Sequence, residues 1–387
     1  LVGEVAGGAN HGWETTRDGQ ITGGSMLRTV PRFRPDLSDI PIYRPGRPIE
    51  EVMEDFGLES VIKLASNECP YPPFPEVQAV IASESARINR YPDNQHRALR
   101  RVLAEFLSVA PDQLWFGGGS SELLLISALA VGGPGTSAVY PGPSFGLYRI
   151  ASRVARSAGI EVPLDEDRRM DLDAMAASIR SDTTLVYLCN PNNPTGTHVS
   201  GAAVQEFVDR VPEDVLVVID EAYYEFVQAV DFHTSLPLAL ERDNVVVAHT
   251  FSKAYGLAGL RLGYMTGRSE TLDQLGRIQL PFTVSSLAQA AAIEALRHQD
   301  QVAERMQANA AGLKLLTEGL DARGIRYADS QTNFLYLFPP GAGWTGELLA
   351  RGVIVREFPE GAVRLTAGTE SENLRFLEAV DELLAAR

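Results

Sequence analysis

The sequence predicts an α/β fold in which a large domain holds a mostly parallel sheet between layers of helices and is joined to a smaller α+β domain. Short, near-continuous apolar runs alternate with helical patterns from about residue 76 to residue 280. This alternation is typical of parallel strands that are buried on both faces. After Ser285 a long helical region is followed by short strands and a final helix. The chain has 387 residues, which exceeds one ordinary domain.

The elements of the large domain follow from the spacing of its apolar residues. Four apolar side chains between residues 99 and 106 recur at i, i+3, i+4 and i+7, which indicates one face of a helix. A glycine turn at 117–119 precedes a helix that we expect to begin near Ser120 or Ser121. The apolar runs predicted to be strands are residues 114–116, 137–140, 185–189, 215–219, 245–248 and 262–265.

The smaller domain has a different pattern. A helical region over about 287–323 is too long for a single crossover helix, and strands are predicted at 333–338, 353–357 and 362–367. The first 25 residues are rich in Gly and polar residues without periodicity, so we interpret them as a flexible extension ahead of Met26. The predicted boundaries are an extension over 1–25, an arm over 26–70 that packs with the small domain, a large domain over 71–283 and a small domain over 284–387.

The composition excludes several classes of partner. The formal net charge of −16 argues against nucleic acid and anionic membrane surfaces. Two cysteines, Cys69 and Cys189, are too few for a disulfide framework or a cysteine-rich metal site, so we predict a reducing cytoplasmic location and no metal. No apolar run reaches the ~18 residues of a membrane-spanning helix.

Polar or glycine-rich clusters follow five of the predicted strands. Because ligands of open α/β sheets bind at the carboxyl ends of the strands, these clusters are expected to meet at one edge of the sheet. In chain order they are GGGSSE, PGPSFG, NPNNPTG, DEAYYEF and HTFSKAYG.

The first cluster, GGGSSE, is a glycine turn that opens a helix, where backbone N–H groups and the helix dipole favour a phosphate. On its own it is also the pattern of an ordinary glycine turn with a serine cap. The G-x-G-x-x-G fingerprint and the P-loop are both absent from the sequence. Hydroxyl and guanidinium donors for the same phosphate would come from Thr250, Ser252 and Arg261.

Lys253 is the most informative residue, because a lysine beside an apolar strand must be neutralised or paired. An imine linkage to an aldehyde removes the charge and creates a reactive electrophile. Taken alone, Asp220 is typical of a helix or turn cap and Asn193 of a Pro-Asn turn. In the functional interpretation Asp220 would lie beside a cationic ring nitrogen, while Tyr223 and Asn193 would contact an oxygen of the same ligand. Aldehyde, ring nitrogen, ring oxygen and phosphate together describe pyridoxal 5′-phosphate.

Six segments carry a family resemblance: LASNECPYPPFP, RYPDN, CNPNNPTG, DEAYYEF, TFSKAYGLAGLRLGY and VRLTAG. Over nearly all of residues 30–387 the chain resembles the fold-type I pyridoxal-phosphate aminotransferases, and within them the histidinol-phosphate and aromatic amino acid branch. The resemblance implies that Lys253 forms the imine and moves a proton, and that Asp220 pairs with the pyridine nitrogen. Asn193 and Tyr223 resemble the partners of the ring oxygen. Phe145 resembles the aromatic residue that stacks on the cofactor. The residues that resemble a phosphate cup are Ser120 and Ser121 through their backbone groups, Thr250, Ser252 and Arg261.

Substrate and subunit contacts are also implied by the resemblance. Tyr91 resembles a tyrosine that reaches the phosphate of a second subunit, so a homodimer is expected. Arg364 resembles the arginine that grips the anionic group of the substrate, and Arg356 is a second candidate for that role. Tyr43 and Asn67 are further candidates for lining the substrate site.

The implied activity is transfer of an amino group from histidinol phosphate or an aromatic amino acid to 2-oxoglutarate. Two arginines would suit a phosphate, whereas one arginine with an aromatic lining would suit a phenylalanine-like substrate. The sequence leaves both substrates open. It departs from the family pattern at Cys69, where a second Asn is usual, and at Pro72, where Gly is frequent. Both departures flank the expected substrate entrance.

Three other functions compete with this reading. A decarboxylase with the same cofactor would release carbon dioxide instead of transferring an amino group. A sensor domain that retains the fold would bind the cofactor without turnover, although an intact Lys253 and the lack of a basic helix-turn-helix arm argue against it. A nicotinamide dehydrogenase is the weakest rival, because the glycine fingerprint is absent.

Overall fold

The computed structural model describes residues 32–42 and 46–386. Residues 38–387 belong to one compact unit and residues 1–37 to another. The predicted extension over 1–25 and the candidate residue Tyr43 lie outside the described residues. The predicted domain boundaries at 70/71 and 283/284 stay predictions.

The strands are short, as expected for an α/β protein. They are β1 (Ile62–Lys63), β2 (Leu114–Gly117), β3 (Ser137–Gly142), β4 (Ala158–Pro163), β5 (Thr183–Cys189), β6 (Leu216–Asp220), β7 (Val245–Thr250), β8 (Gly263–Gly267), β9 (Arg326–Tyr327), β10 (Phe334–Phe338), β11 (Val353–Ile354), β12 (Arg356–Glu357) and β13 (Val363–Thr366).

The helices alternate with these strands through most of the chain. They are α1 (Ile49–Phe56), α2 (Pro75–Glu84), α3 (Arg97–Leu107), α4 (Ser120–Val131), α5 (Leu147–Val154), α6 (Leu172–Ala177), α7 (Gly201–Arg210), α8 (Leu236–Glu241), α9 (Ser269–Gly276), α10 (Ser286–Arg297), α11 (Gln299–Asp321), α12 (Trp344–Leu349) and α13 (Glu370–Ala385).

Within the described residues the large sheet has the strand order β2-β8-β7-β6-β5-β3-β4. Only β8 among these runs against its neighbours, pairing antiparallel with both β2 and β7. The carboxyl ends of β2, β7, β6, β5 and β3 therefore share one edge, and β8 begins there. This arrangement confirms the predicted α/β class with a mostly parallel sheet.

Both faces of the large sheet are covered, which explains why its central strands read as continuous apolar runs. Val217 and Val247 pack with α6, α7 and α8 on one face. Val218 and Ala248, their neighbours along the same strands, pack with α4, α5 and α9 on the other. Because side chains alternate across a strand, both sets of residues must be apolar.

Several elements differ from the sequence-based expectation, which also lacked the two-residue strands β1 and β9. Strand β4 was not predicted, because it is an edge strand with mostly exposed side chains and therefore lacks an apolar run. The helical region over 287–323 is interrupted at His298, which separates α10 from α11. The single strand expected over 353–357 is two short strands, β11 and β12, which belong to different sheets.

A smaller antiparallel sheet has the order β12-β13-β10-β9. Residues just ahead of the large sheet pack against it: β1 pairs with β11, and the Thr366 N–H donates to the Leu64 oxygen at 2.8 Å. Leu335, Leu365 and Phe376 form part of the apolar core between this sheet and the last helices. In the described part of the chain, every helix is too short or too polar to cross a bilayer.

Candidate active site

A cavity of about 330 Å³ opens at the edge of the large sheet where the carboxyl ends of its strands meet. Most of the predicted site residues line it, although they come from eight separate segments of the chain. They are Asn67, Ser120, Ser121, Phe145, Asn193, Asp220, Tyr223, Thr250, Ser252, Lys253, Arg261, Arg356 and Arg364.

Lys253 follows β7 directly, so its amine enters the cavity from the sheet edge. Its Nζ donates to the backbone oxygen of Asn67 at 3.0 Å and lies 5.6 Å from the centre of the Tyr223 ring. Burial, followed by the positive charges of Arg364 and Arg261, lowers the pKa of Lys253 to about 8. The amine is therefore partly neutral near physiological pH and can act as a nucleophile or a base.

Asp220 ends β6 on the floor of the cavity, beside Cys189 at the end of β5. Its two carboxylate oxygens accept hydrogen bonds from the Tyr148 hydroxyl at 2.9 Å and from the Ala222 N–H at 3.2 Å. Burial raises the pKa of Asp220 to about 6, against the opposing effect of these two donors. Asp220 is thus a buried carboxylate available to a cationic ligand.

Tyr223 and Asn193 are held by residues that face them across the cavity. The Asn67 side-chain amide donates to the Tyr223 hydroxyl at 2.9 Å, and Arg364 Nη1 donates to Asn193 Oδ1 at 2.6 Å. Burial raises the pKa of the Tyr223 phenol, so it stays protonated as a donor. These contacts leave one phenol and one amide positioned for an oxygen-bearing ligand.

The N-terminus of α4 forms a cradle for an anion. Its first N–H groups, at Ser120 and Ser121, have no partner within the helix by geometry. Gly119 adopts φ 87°, and a Cβ placed there would lie 2.3 Å from Arg261 Nη2. Glycine therefore allows the guanidinium to approach the helix end. Because β8 is antiparallel, Arg261 reaches this edge just before that strand begins.

Two hydroxyl groups complete the cradle from the end of β7. The Thr250 hydroxyl donates to Ser252 Oγ at 2.9 Å, and both residues line the cavity. Hydroxyl, guanidinium and helix N-terminal N–H groups are the donors that suit a phosphate.

Arg364 and Arg356 lie directly opposite one another on the paired strands β13 and β12. Both line the cavity, at the side formed by the small sheet. Arg364 Nη2 donates to the Ala65 oxygen at 2.6 Å, and its guanidinium lies 5.4 Å from the centre of the Phe334 ring. Like charges at directly opposed positions destabilise a sheet, so an anion between them would be favourable.

Tyr91 is the one described candidate that the structure does not bring into the cavity of its own chain. It is 82% exposed and stacks on Phe282 with ring centres 4.6 Å apart. Sequence reasoning also missed Tyr148, the hydroxyl partner of Asp220, and Thr366, which accepts from the Asn67 N–H at 3.0 Å. The PGPSFG cluster was the available signal for Tyr148, which lies three residues after Phe145.

The model of the family described as aminotransferase class I and II matches residues 59–380 of the chain. The chain belongs to the class I and II aminotransferases. The match covers both sheets and every described lining residue of the cavity except Gly46. The predicted family, fold and aminotransferase activity are therefore confirmed, and pyridoxal phosphate agrees with this class as the cofactor.

Two relatives show which aminotransferases this chain is similar to. This aminotransferase is 43% identical to the histidinol-phosphate aminotransferase of Geobacillus thermodenitrificans, over 91% of this chain and 98% of that protein. It is 42% identical to an aromatic amino acid aminotransferase of Nocardia farcinica, over 92% of this chain and 99% of that one. Both predicted branches are thus represented among its relatives.

A solved structure shares both the fold and the length of this aminotransferase. It is the histidinol-phosphate aminotransferase of Sinorhizobium meliloti in complex with pyridoxal-5′-phosphate, with 26% identity and a TM-score of 0.86. The alignment covers 93% of this chain and 99% of that one.

Proposed function

We propose that this aminotransferase takes an amino group from histidinol phosphate and passes it to a 2-oxo acid such as 2-oxoglutarate, with pyridoxal phosphate as cofactor. The observation that carries the substrate is the cross-strand pair of Arg356 and Arg364 in the same cavity as Lys253. Two guanidinium groups match the charge and the oxygen number of a phosphate monoester better than those of a carboxylate.

The cavity fits the cofactor at each of its functional groups. The end of α4 with Thr250, Ser252 and Arg261 would hold its phosphate, and Asp220 would hold its ring nitrogen. Asn193 and Tyr223 would contact its ring oxygen, and the Phe145 ring would stack on it. When bound, this cofactor withdraws electrons from a bond at the substrate α-carbon.

Lys253 then has two tasks that its surroundings explain. Its neutral amine would hold the cofactor through the aldehyde group, and Nζ would accept the proton of the substrate α-carbon and return it. The lowered pKa of about 8 keeps enough of the amine neutral for both tasks. Asp220 stays ionised above a pKa of about 6, so it can hold a positive charge on the ring nitrogen.

The substrate phosphate would lie against Arg356 and Arg364, with Asn67 at the adjoining wall. Arg364 is fixed by its bonds to Ala65 and Asn193, whereas Arg356 is more exposed. We therefore assign the common anionic group of every substrate to Arg364 and the additional charge of a phosphate to Arg356.

A donor screen tests this assignment. Histidinol phosphate, phenylalanine and tyrosine are compared with 2-oxoglutarate as acceptor, in the wild type and in Arg356→Ala. We expect the KM for histidinol phosphate to rise about 10-fold or more in the variant, as for loss of a charged hydrogen bond. The KM values for the two amino acids should change less than about 2-fold. Arg326→Ala, an exposed arginine of the same sheet outside the cavity, is the control. Equal losses for all three donors would refute the phosphate role of Arg356.

An aromatic amino acid is the second candidate donor. It is supported by the relative from Nocardia farcinica and by the Phe145 and Tyr223 rings in the cavity wall. A wild type with higher kcat/KM for phenylalanine than for histidinol phosphate would favour it. Release of carbon dioxide from a phosphorylated amino acid, without keto product, would instead identify a decarboxylase.

We also propose that the aminotransferase is a homodimer, in which Tyr91 completes the site of the partner. Three apolar side chains near Tyr91 in sequence or in space are exposed. Phe282 stacks on the Tyr91 ring, and Ile88 lies three residues before Tyr91 in the sequence. Leu280, two residues before Phe282, is 73% exposed. Sedimentation should give twice the chain mass of 42.0 kDa. Leu280→Glu should lower that mass, and a monomeric wild type would refute the proposal.

A cytoplasmic location stays part of the proposal and rests on the two free cysteines.

A further inference from the structure

Among the described residues, one side chain donates a hydrogen bond to the carboxylate of Asp220. Its Oδ2 accepts from the Tyr148 hydroxyl at 2.9 Å, and its Oδ1 accepts from the backbone N–H of Ala222 at 3.2 Å. The side chains of Asp220 and Tyr148 are both buried, and that of Tyr148 is completely inaccessible to solvent. The Ala222 donor is a backbone N–H, which every substitution except proline retains. Tyr148 is therefore the side chain through which this carboxylate can be altered.

Tyr148 has little freedom to move away from Asp220. Its ring stacks on Tyr187 with centres 4.7 Å apart and planes 19° apart. It also meets Phe145 edge-on at 5.8 Å. The Tyr187 hydroxyl in turn donates to the Leu124 oxygen of α4 at 2.7 Å. The stacked rings of Tyr148 and Tyr187 are therefore attached to α4, the helix whose N-terminus faces the cavity, and they hold the Tyr148 hydroxyl in place.

We propose that Tyr148 is a positioning residue for Asp220, and that its hydroxyl keeps this carboxylate ionised and oriented towards the cofactor ring nitrogen. This inference rests on the proposed role of Asp220. A neutral phenol is suited to the task because it donates to a carboxylate without neutralising its charge. Burial and the adjacent carboxylate raise the pKa of the Tyr148 phenol well above its usual value, so it remains a donor at every working pH.

Other titratable groups also face Asp220, and each must be weighed against Tyr148. They are Cys189 and Tyr187 from β5, Glu221 beside it, Tyr223 from the following loop, His249 from β7 and Lys253 beyond it. Two of these groups act on Asp220 through their charge in opposite directions, since His249 lowers the pKa of Asp220 and Glu221 raises it. Glu221 Oε2 accepts from the Thr234 hydroxyl at 2.6 Å and lies 3.2 Å from His249 Nε2. Glu221 and His249 are therefore hydrogen-bonding partners of one another.

Loss of the hydroxyl should therefore raise the pKa of Asp220. A hydrogen bond to a charged group changes a pKa by about one unit or more. With its pKa raised towards neutrality, Asp220 would be partly protonated and would no longer favour a protonated ring nitrogen. Cofactor affinity and turnover should both fall, while substrate affinity, which depends on Arg364, should not.

Tyr148→Phe tests this inference, because it removes only the hydroxyl and keeps the stacked ring. The readouts are the dissociation constant of pyridoxal phosphate from the cofactor-free protein as a function of pH, and the kcat and KM of the loaded enzyme. We expect cofactor binding to be about 2-fold weaker at pH 7 and about 10-fold weaker at pH 5, which corresponds to an acid limb moved upward by about 1 pH unit. We expect kcat to fall about 10-fold with KM within about 2-fold of the wild type.

Two variants make the result specific. Tyr187→Phe also removes a buried phenol hydroxyl from the same stack, but that hydroxyl bonds to Leu124 and not to Asp220. It should leave the acid limb in place. Tyr148→His retains a ring N–H donor and should recover part of the cofactor affinity that Tyr148→Phe loses.

Asp220→Asn separates this inference from the function on which it rests. If Asp220→Asn keeps wild-type cofactor affinity, the proposed role of Asp220 is wrong. If Asp220→Asn weakens cofactor binding while Tyr148→Phe binds as tightly as the wild type, only the role of Tyr148 is wrong. An acid limb that moves equally in Tyr187→Phe and Tyr148→Phe, or no advantage of His over Phe at position 148, would also overturn it.

Discussion

The amine of Lys253 donates to the backbone oxygen of Asn67 at 3.0 Å, and the side chain of the same asparagine donates to the Tyr223 hydroxyl at 2.9 Å. Asn67 adopts φ 53°, a left-handed conformation that asparagine tolerates better than most residues. Its backbone and side chain thus address two functional groups at once. A residue 186 positions away in the sequence therefore holds the Lys253 amine.

The first prediction concerns the titration of this amine. In the cofactor-free protein, labelling of Lys253 by an amine-reactive reagent should show a midpoint at about pH 8, because burial and then Arg364 lower its pKa. Arg364→Gln removes the positive charge with the largest effect on this pKa and should move the midpoint upward. Arg326→Gln, outside the cavity, should not move it. Quantitative peptide mass spectrometry measures the labelling, and a wild-type midpoint near 10 would contradict the prediction.

The second prediction concerns the cradle at the start of α4. Gly119→Ala places a Cβ 2.3 Å from Arg261 Nη2, which is closer than van der Waals contact allows. The guanidinium must move, so pyridoxal phosphate should bind about 10-fold more weakly or worse, as expected for loss of a charged contact. Equilibrium dialysis of the cofactor measures this loss.

Gly135→Ala is a matched control for the backbone strain. Gly135 has the same φ of 87°, but a Cβ there meets no atom within 4 Å. Both variants carry the strain of a positive φ, about 1–3 kcal/mol. Equal effects of the two variants on cofactor affinity would show that strain, and not the displacement of Arg261, is responsible.

The third prediction concerns the stability of the fold as a function of pH. Glu225 has a buried Oε2 without a hydrogen-bond partner among the described residues, and burial raises the pKa of this carboxyl from 4.5 to about 8. Since the folded protein binds this proton more tightly than the unfolded chain, the contribution of Glu225 to stability is complete below pH 4.5. It is lost as the pH rises to about 8.

Glu225→Gln should remove that loss. Its Tm should exceed that of the wild type by about 5 °C at pH 8.5, and the difference should shrink at pH 5. Calorimetry at both values measures it. Glu213→Gln, which alters an exposed carboxylate, is the control and should show no such pH-dependent difference. A difference for Glu225→Gln that is constant with pH would indicate that the carboxyl is already neutral or solvated.

The sequence predicted the central strands well because burial on both faces leaves a continuous apolar run, as at Val245 and Val247. It did not predict β4, whose edge position exposes one side and removes that signal. The break at His298 was missed because the polar junction over residues 297–301 contains neither Gly nor Pro, the usual signals that end a helix.

For the site, local motifs were sufficient where a side chain follows a strand. Lys253 and Asp220 each lie at or just beyond the end of a predicted strand, and the shared edge of a parallel sheet brings such positions together. Tyr148 escaped this reasoning because it lies inside a helix, where a buried tyrosine is ordinarily part of the apolar core.

The sequence by itself determined the α/β class, the family and the group of residues that would meet at the sheet edge, because these depend on local periodicity and on motifs. Only the tertiary structure decided that Tyr148 donates to Asp220, that Arg356 opposes Arg364 and that Asn67 binds Lys253. By their residue numbers, the partners in these three pairs are separated by 72, 8 and 186 positions in the sequence, respectively. Strand register and helix packing set such distances, and no spacing along the chain encodes them.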